Sequence, residues 1–266
     1  MNRTFRLLPI LFSVFMLLFS IDALVAGETV KILFIHHSTG NNVIKGAVGI
    51  EAMFKKYNRE HGTDYRFYEI WEPSGASGKG NYPYDYLFHT FTPERLKNFA
   101  VQFDVIIWKH CYPGSDVLEN RDLTNINSAR KSLENYKVQY RELRRRLAEY
   151  PATKFMVWTL PPRHRLVNQP EHAAPNAVRA SEFAEWVKTK YLLEAGKISN
   201  QYVWDIRLLL TGPDHFLKKE YERSPDSPDS HPNQLANDTI CPLFFQAILD
   251  MIEGRENELL ICGAAR

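Results

Sequence analysis

The stretch Val30-Lys31-Ile32-Leu33-Phe34-Ile35 decides the fold. It is a short apolar run bounded by polar residues before and by His36-His37-Ser38-Thr39-Gly40 after. Too short for a stable helix and nearly continuous in its apolarity, it reads as a strand buried on both faces. Residues 36–42 then read as a turn, and residues 43–61 carry helical spacing. The pattern repeats down the chain. Further strands are expected at 65–71, 104–108, 154–159 and 202–206. Between them, helices are expected at 93–99, at 127–150 with Leu133, Tyr136, Tyr140, Leu143 and Leu147 on one face, and at 173–194, ended by Gly196. A last helix begins near Asn233 and carries Leu235, Ile240, Phe244, Ile248 and Ile252. Strands alternating with helices predict a single three-layer α/β/α domain around a mainly parallel, five-stranded sheet. Right-handed crossovers place the carboxyl ends of all strands on one edge, where open sheets of this kind bind ligands. The turns 36–42, 109–116 and 161–170 should gather there, together with the Pro-rich loop 211–232 and the Gly- and Pro-rich loop 72–85.

The N-terminus has a separate logic. Arg3 and Arg6 precede an apolar run over residues 7–19, and small residues follow up to Ala26. This reads as a secretory signal peptide over 1–26, leaving 27–266 as the domain, secreted or periplasmic and without a membrane anchor after cleavage. Removing that segment lowers the formal charge from +2 to +1, so nothing in the electrostatics calls for a nucleic-acid partner. Arg144-Arg145-Arg146 falls in a helical pattern and is expected on a solvated face. Of the three cysteines, Cys111, Cys241 and Cys262, export would permit a Cys241–Cys262 bridge and leave Cys111 over. Their spacing is not that of a metal site, and oligomeric state is not legible.

Two short segments carry the chemistry. Ser38 stands just beyond the first strand, at the entrance of a helix whose free N–H groups can meet an oxyanion; Ser38, Thr39 or Asn41 could equally cap that helix. Asp229-Ser230-His231-Pro232 precedes the last helix. A serine hydroxyl needs a base to become a nucleophile, and an imidazole oriented by a carboxylate is suited to that task; Asp226 is a second candidate for the acid. His36 and His37 with Asp229 and His231 could alternatively ligate a metal, although neighbours in an extended segment face opposite ways. Trp71, Tyr82, Tyr84, Tyr86, Trp108 and Tyr112 lie near the expected edge, either as packing or as platforms for sugar rings.

Taken together, these segments resemble the SGNH, or GDSL-like, hydrolases. Residues 34–41 look like that family's strand-then-serine block, residues 229–233 like its terminal acid–histidine block, and Trp158-Thr159-Leu160-Pro161-Pro162 like its fourth-strand end. The resemblance implies a flavodoxin-like architecture over about residues 30–255. It implies Ser38 as nucleophile, His231 as general base and Asp229 as its orienting acid, with an acyl-enzyme intermediate and no cofactor or metal. The expected substrate is a carboxylic ester, small or on polysaccharide, with acetyl as the expected acyl group on a sugar. Acyl transfer to a cell-surface glycan, and glycan binding without catalysis, are the alternatives on the same fold. The chain departs from the family at two places. His36-His37 replace Gly-Asp before the serine, and the turn Lys109-His110-Cys111-Tyr112 lacks the Asn that donates to the oxyanion. Beyond the Ser38 amide, the oxyanion or substrate-binding candidates are therefore Gly78 (with Gly75 and Gly80 competing), Asn41, Lys109 and His110.

Overall fold

The computed structural model describes residues 28–72, 82–121, 123–194 and 198–263. The expected signal segment 1–26, Gly75, Gly78, Gly80 and Gly196 lie outside the described residues. Strands β1 (Thr29–His36), β2 (Asp64–Trp71), β3 (Val105–Trp108), β4 (Lys154–Trp158), β5 (Gln201–Trp204) and β6 (Leu260–Cys262) form one sheet in the order β2-β1-β3-β4-β5-β6. The first five are mutually parallel, as expected, and β6 adds to β5 antiparallel. The sheet thus has six strands, one more than the sequence announces.

The helices are α1 (Ser38–Ile44), α2 (Ile50–His61), α3 (Pro83–Asp85, running into a wide turn to Thr90), α4 (Pro93–Gln102), α5 (Leu133–Leu147), α6 (Pro170–Trp186, continued to Tyr191), α7 (Ile206–Leu210) and α8 (Gln234–Glu253). The period-two alternation of strand side chains sorts the core into two halves. Ile32, Phe34, Val105, Ile107, Met156 and Trp158 pack with α1, α2, α7 and α8. Leu33, Ile35, Ile106, Trp108, Phe155 and Val157 pack with α5, α6 and the segment around Tyr86 and Phe91. Both layers are wholly buried, which is why the strands read as continuous apolar runs. Phe34, Trp158, Trp204 and Phe244 form an aromatic cluster with ring centroids 4.7–5.2 Å apart; burying each such side chain contributes about 2 kcal/mol.

Three expectations need correcting. The helix expected over 43–61 is two helices, because the chain turns at Gly49 in the left-handed region (φ 73°) that favours glycine. Among the described residues no disulfide forms: Cys241 sits in the α8 core and Cys262 on β6, with no bridge between them. The arginine run is not uniformly solvated. Arg145 is exposed and pairs with Glu142 and Glu149. Arg144 is buried against Tyr191, and Arg146 donates to the carbonyls of Leu87 (2.7 Å) and Phe91 (3.0 Å).

Candidate active site

β1 delivers its chain to the carboxyl edge of the sheet, and His37 alone separates the strand from α1. The His37 carbonyl accepts from the amides of Gly40 (2.7 Å) and Asn41 (3.3 Å), which closes the first turn and fixes Ser38 at its start. The turn is tight for a steric reason. A Cβ on Gly40 would lie 2.6 Å from His36 Cβ and 3.1 Å from Lys109 Cε, so only glycine lets α1 lie on these two side chains.

The two histidines divide their duties. His36 is buried, stacks on Phe34 at 4.7 Å and bonds Glu69 Oε2 at 2.8 Å. Burial pulls its pKa down, against the hydrogen bond to Glu69, and its role is structural. His37 stacks on Trp71 at 5.5 Å, with the rings 18° from parallel, beside Ser38. Trp71 itself is 58% exposed.

The turn after β3 is the hub of the edge. Its Lys109 carbonyl accepts from Tyr86 Oη at 2.7 Å. Ser115 Oγ donates to the Pro161 carbonyl at 2.5 Å and ties this turn to the one after β4. Cys111 Sγ lies 3.2 Å from Ser38 Oγ and 3.3 Å from Thr39 Oγ1. The next residue, Tyr112, meets the His231 ring edge-on at 4.8 Å. Segments 38–39 and 231, nearly two hundred positions apart, therefore touch adjacent residues of one turn.

His231 is held by its own loop. Asp229 Oδ1 accepts from His231 Nδ1 (2.5 Å) and from its backbone N–H (3.0 Å), while Arg223 pairs with Asp229 Oδ2 at 3.3 Å. Burial raises the Asp229 pKa, but the two bonds from His231 and the Arg223 charge outweigh it and hold the carboxyl below the ordinary range. The loop is anchored by Ser230 Oγ, which accepts from the His164 amide (2.9 Å), and by the buried Glu222, which pairs with Arg165 (3.0 Å). His231 Nε2 is buried and has no hydrogen-bond partner among the described residues. No hydrogen bond joins it to Ser38 in this conformation; the serine hydroxyl rests on Cys111 instead.

The other candidates separate clearly. His110 Nε2 bonds Tyr140 Oη at 2.8 Å, and its ring packs edge-on against Tyr86 and Trp108, so it belongs to the aromatic core rather than to an oxyanion hole. Tyr86 and Trp108 are core residues as well. Asn41 lies one turn into α1 and is half-buried. Lys109 is completely buried beneath α1. Asp226 is exposed, and Asp229, not Asp226, is the carboxylate on His231. Gly78 lies outside the described residues. Among those residues, no group of three His, Cys, Asp or Glu is placed to hold a metal ion.

Sequence reasoning passed over Cys111 as a partner of the serine, placed Tyr112 at the edge only as packing or a sugar platform, and took Lys109 as a donor without seeing its burial. The available signal was a charged residue that directly continues the apolar strand Ile106-Ile107-Trp108 at the ligand-binding edge.

Among solved structures, the chain is similar to a lipase from Bacteroides thetaiotaomicron, with a TM-score of 0.51 and 12% identity over 83% of this chain and 88% of the other. The fold is that of a GDSL-like lipase. The chain is also similar to an acetyl-xylooligosaccharide esterase from a Geobacillus species (TM-score 0.44, 16% identity, 83% and 94% coverage). It is similar as well to a salicylyl-acyltransferase from a tetracycline biosynthetic pathway (TM-score 0.45, 14% identity, 86% and 56% coverage). No family model and no curated protein sequence matches the chain. At these identities the GDSL-like likeness speaks for the fold, and the site must be argued from its own residues.

Proposed function

We propose that this protein is a serine hydrolase of carboxylic esters, with Ser38 as nucleophile and Asp229–His231 as its acid–base pair. One observation carries the reading: Ser38 and His231 both contact the 111–112 turn, with the far nitrogen of an Asp-oriented imidazole left unpaired. His89 and His164 also have a ring nitrogen without a hydrogen-bond partner among the described residues, so this feature alone is not diagnostic; what sets His231 apart is the Asp229 carboxylate on its other nitrogen and the turn it shares with Ser38.

The reaction divides into two halves. Ser38 Oγ gives its proton to a neighbouring base of the site and attacks the ester carbonyl, the carbonyl electron pair moves to oxygen, and amides at the start of α1 meet the oxyanion. Collapse breaks the bond to the alcohol, whose oxygen takes that proton from the base, and leaves an acyl-Ser38. Water then attacks the acyl carbon; His231 takes its proton, Asp229 steadies the imidazolium, and the proton returns to Ser38 as the acid departs.

The finer substrate reading is an acyl group, acetyl by preference, on a sugar. It is supported by the exposed Trp71 ring, stacked on His37 one residue from the nucleophile, which offers an apolar face to a pyranose. The test is labelling with a fluorophosphonate followed by peptide mapping. Label on Ser38, lost in Ser38→Ala, is expected. An unlabelled protein with unchanged esterase activity in Ser38→Ala defeats the assignment.

A further inference from the structure

The hydrolase mechanism leaves one group at the nucleophile without a task. Cys111 is 3% exposed, and its sulfur lies within hydrogen-bond reach of the hydroxyls of Ser38 (3.2 Å) and Thr39 (3.3 Å) and meets the backbone N–H of Thr39. With the sulfur as a thiolate all three groups donate to it, a set that suits the charged form better than the neutral thiol.

The counter-charge stands two residues away. Lys109 is fully buried, and Cys111 is the group its ammonium meets, by charge and by hydrogen bond. An ammonium isolated in low dielectric is costly, and burial accordingly lowers the Lys109 pKa; Cys111 is the charge that works against that drop. The same reciprocity acts on the sulfur. Burial raises the Cys111 thiol, but the Lys109 charge and the bonds from Ser38 and Thr39 outweigh it and bring it below the ordinary value.

We propose that Cys111 is a second base of this site: paired with Lys109, its thiolate takes the Ser38 proton during acylation and gives it to the departing alcohol. The proposal rests on Ser38 being the nucleophile and assigns one proton transfer within that reaction. The Oγ–H bond breaks as S–H forms, and the Oγ–C bond forms as the carbonyl pair moves to oxygen. On collapse, the bond to the alcohol breaks and the sulfur proton passes to its oxygen, restoring the thiolate. No external oxidant or reductant takes part. The negative charge travels from sulfur to the oxyanion and back, always within the field of Lys109, so the buried cluster never changes its net charge. The turn that carries an amide donor in the resembling family thus carries an acceptor here, with the positive charge supplied from beneath. His231 is left for the water of the second half-reaction, consistent with its lack of contact with the Ser38 hydroxyl.

The experiment is rapid mixing with para-nitrophenyl acetate, following nitrophenolate release and acetyl-enzyme by intact mass. In His231→Ala, Ser38 is expected to acetylate at close to the wild-type rate and then to accumulate as the acetyl form. In Cys111→Ala and Cys111→Ser, acylation is expected to slow by about 100-fold, the scale of general-base catalysis; the serine variant keeps the shape while removing the base. Lys109→Met is expected to slow acylation at least tenfold and to move the thiolate ultraviolet titration, taken as wild type minus Cys111→Ser, toward higher pH. A merely structural lysine would not shift that titration. Normal acylation in both Cys111 variants, with acylation lost in His231→Ala, overturns the proposal and leaves His231 as base for both halves. Normal acylation in Ser38→Ala would instead strike the nucleophile, so the two failures are distinguishable.

Discussion

The two segments that build the site are held by opposite physics. Ser38 is held by packing: β1 and α1 are core elements, Thr39, Gly40, Val43 and Ile44 are buried, and the first turn lies directly on His36 and Lys109. His231 is held by polar bonds on a loop with little core of its own: Asp229, Arg223, Glu222, Arg165 and Ser230 do the work. Packing resists solvent and pH but tolerates no added volume. A polar harness accepts changes of shape but depends on each charge. The proposed nucleophile is therefore held rigidly, and the proposed acid–base arm is the part that conditions and substitutions can move.

The hardest blow to this contrast is chemical. Asp229→Asn keeps the volume of the side chain but removes the charge that fixes the imidazole tautomer, and kcat is expected to fall by about 1000-fold, with little change in melting temperature. A loss below tenfold would show that Asp229 holds the loop without orienting His231. The pH dependence has a definite sign. The folded Asp229 pKa is depressed, so its contribution is complete above the unfolded carboxylate value, about 3.9, and disappears as pH falls through the lower folded value. Acid should thus release the His231 loop only below about pH 4, while the Asn variant lacks that acid-linked component in denaturation profiles.

On the packed side, the expected effect is on stability. Gly40→Ala would drive a methyl to within 2.6 Å of His36 Cβ, and α1 must lift to admit it. The expected loss is about 1–3 kcal/mol, read by denaturant unfolding, together with reduced fluorophosphonate labelling as Ser38 is displaced. Unchanged stability would mean that this turn is softer than its packing implies. On the polar side, Glu222→Gln leaves Arg165 with Asp214 alone. About 1–2 kcal/mol is expected, accompanied by faster proteolysis within residues 211–233. If the cut sites are unchanged, the loop does not depend on this ion pair.

The same division explains what was legible in the sequence. Packing writes itself locally: the central parallel strands are visible because burial on both faces demands apolar runs, as at Ile32–Ile35, while the edge strand β2, half-buried or exposed along its length, is visible by its aromatic residues instead. Strand β6 was not visible, because Leu260, Ile261 and Cys262 are three half-buried residues at an edge. Ser38 and the Asp229–His231 pair stood out as residue types beside predicted element ends. The contact of Cys111 with Ser38 spans 73 positions, and no periodicity encodes it. Lys109 was misjudged for a related reason. A lysine reads as solvent-facing by type, and only the assembled edge shows that α1 covers it.

The smallest predicted effect probes the rim where the two segments meet the substrate. Trp71 lies on edge strand β2, more than half exposed, and its visible packing is with the His36 and His37 rings. Trp71→Ala should therefore cost the fold little. If its ring is a sugar platform, an acetylated sugar should lose about 1 kcal/mol of binding, seen as a roughly fivefold rise in KM at constant kcat, while para-nitrophenyl acetate, with no sugar face to stack, should be unaffected. Equal losses on both substrates would mean that Trp71 steadies His37 and the rigid nucleophile turn rather than the ligand. It would then belong to the packed half of the site, and the carbohydrate reading would lose its support.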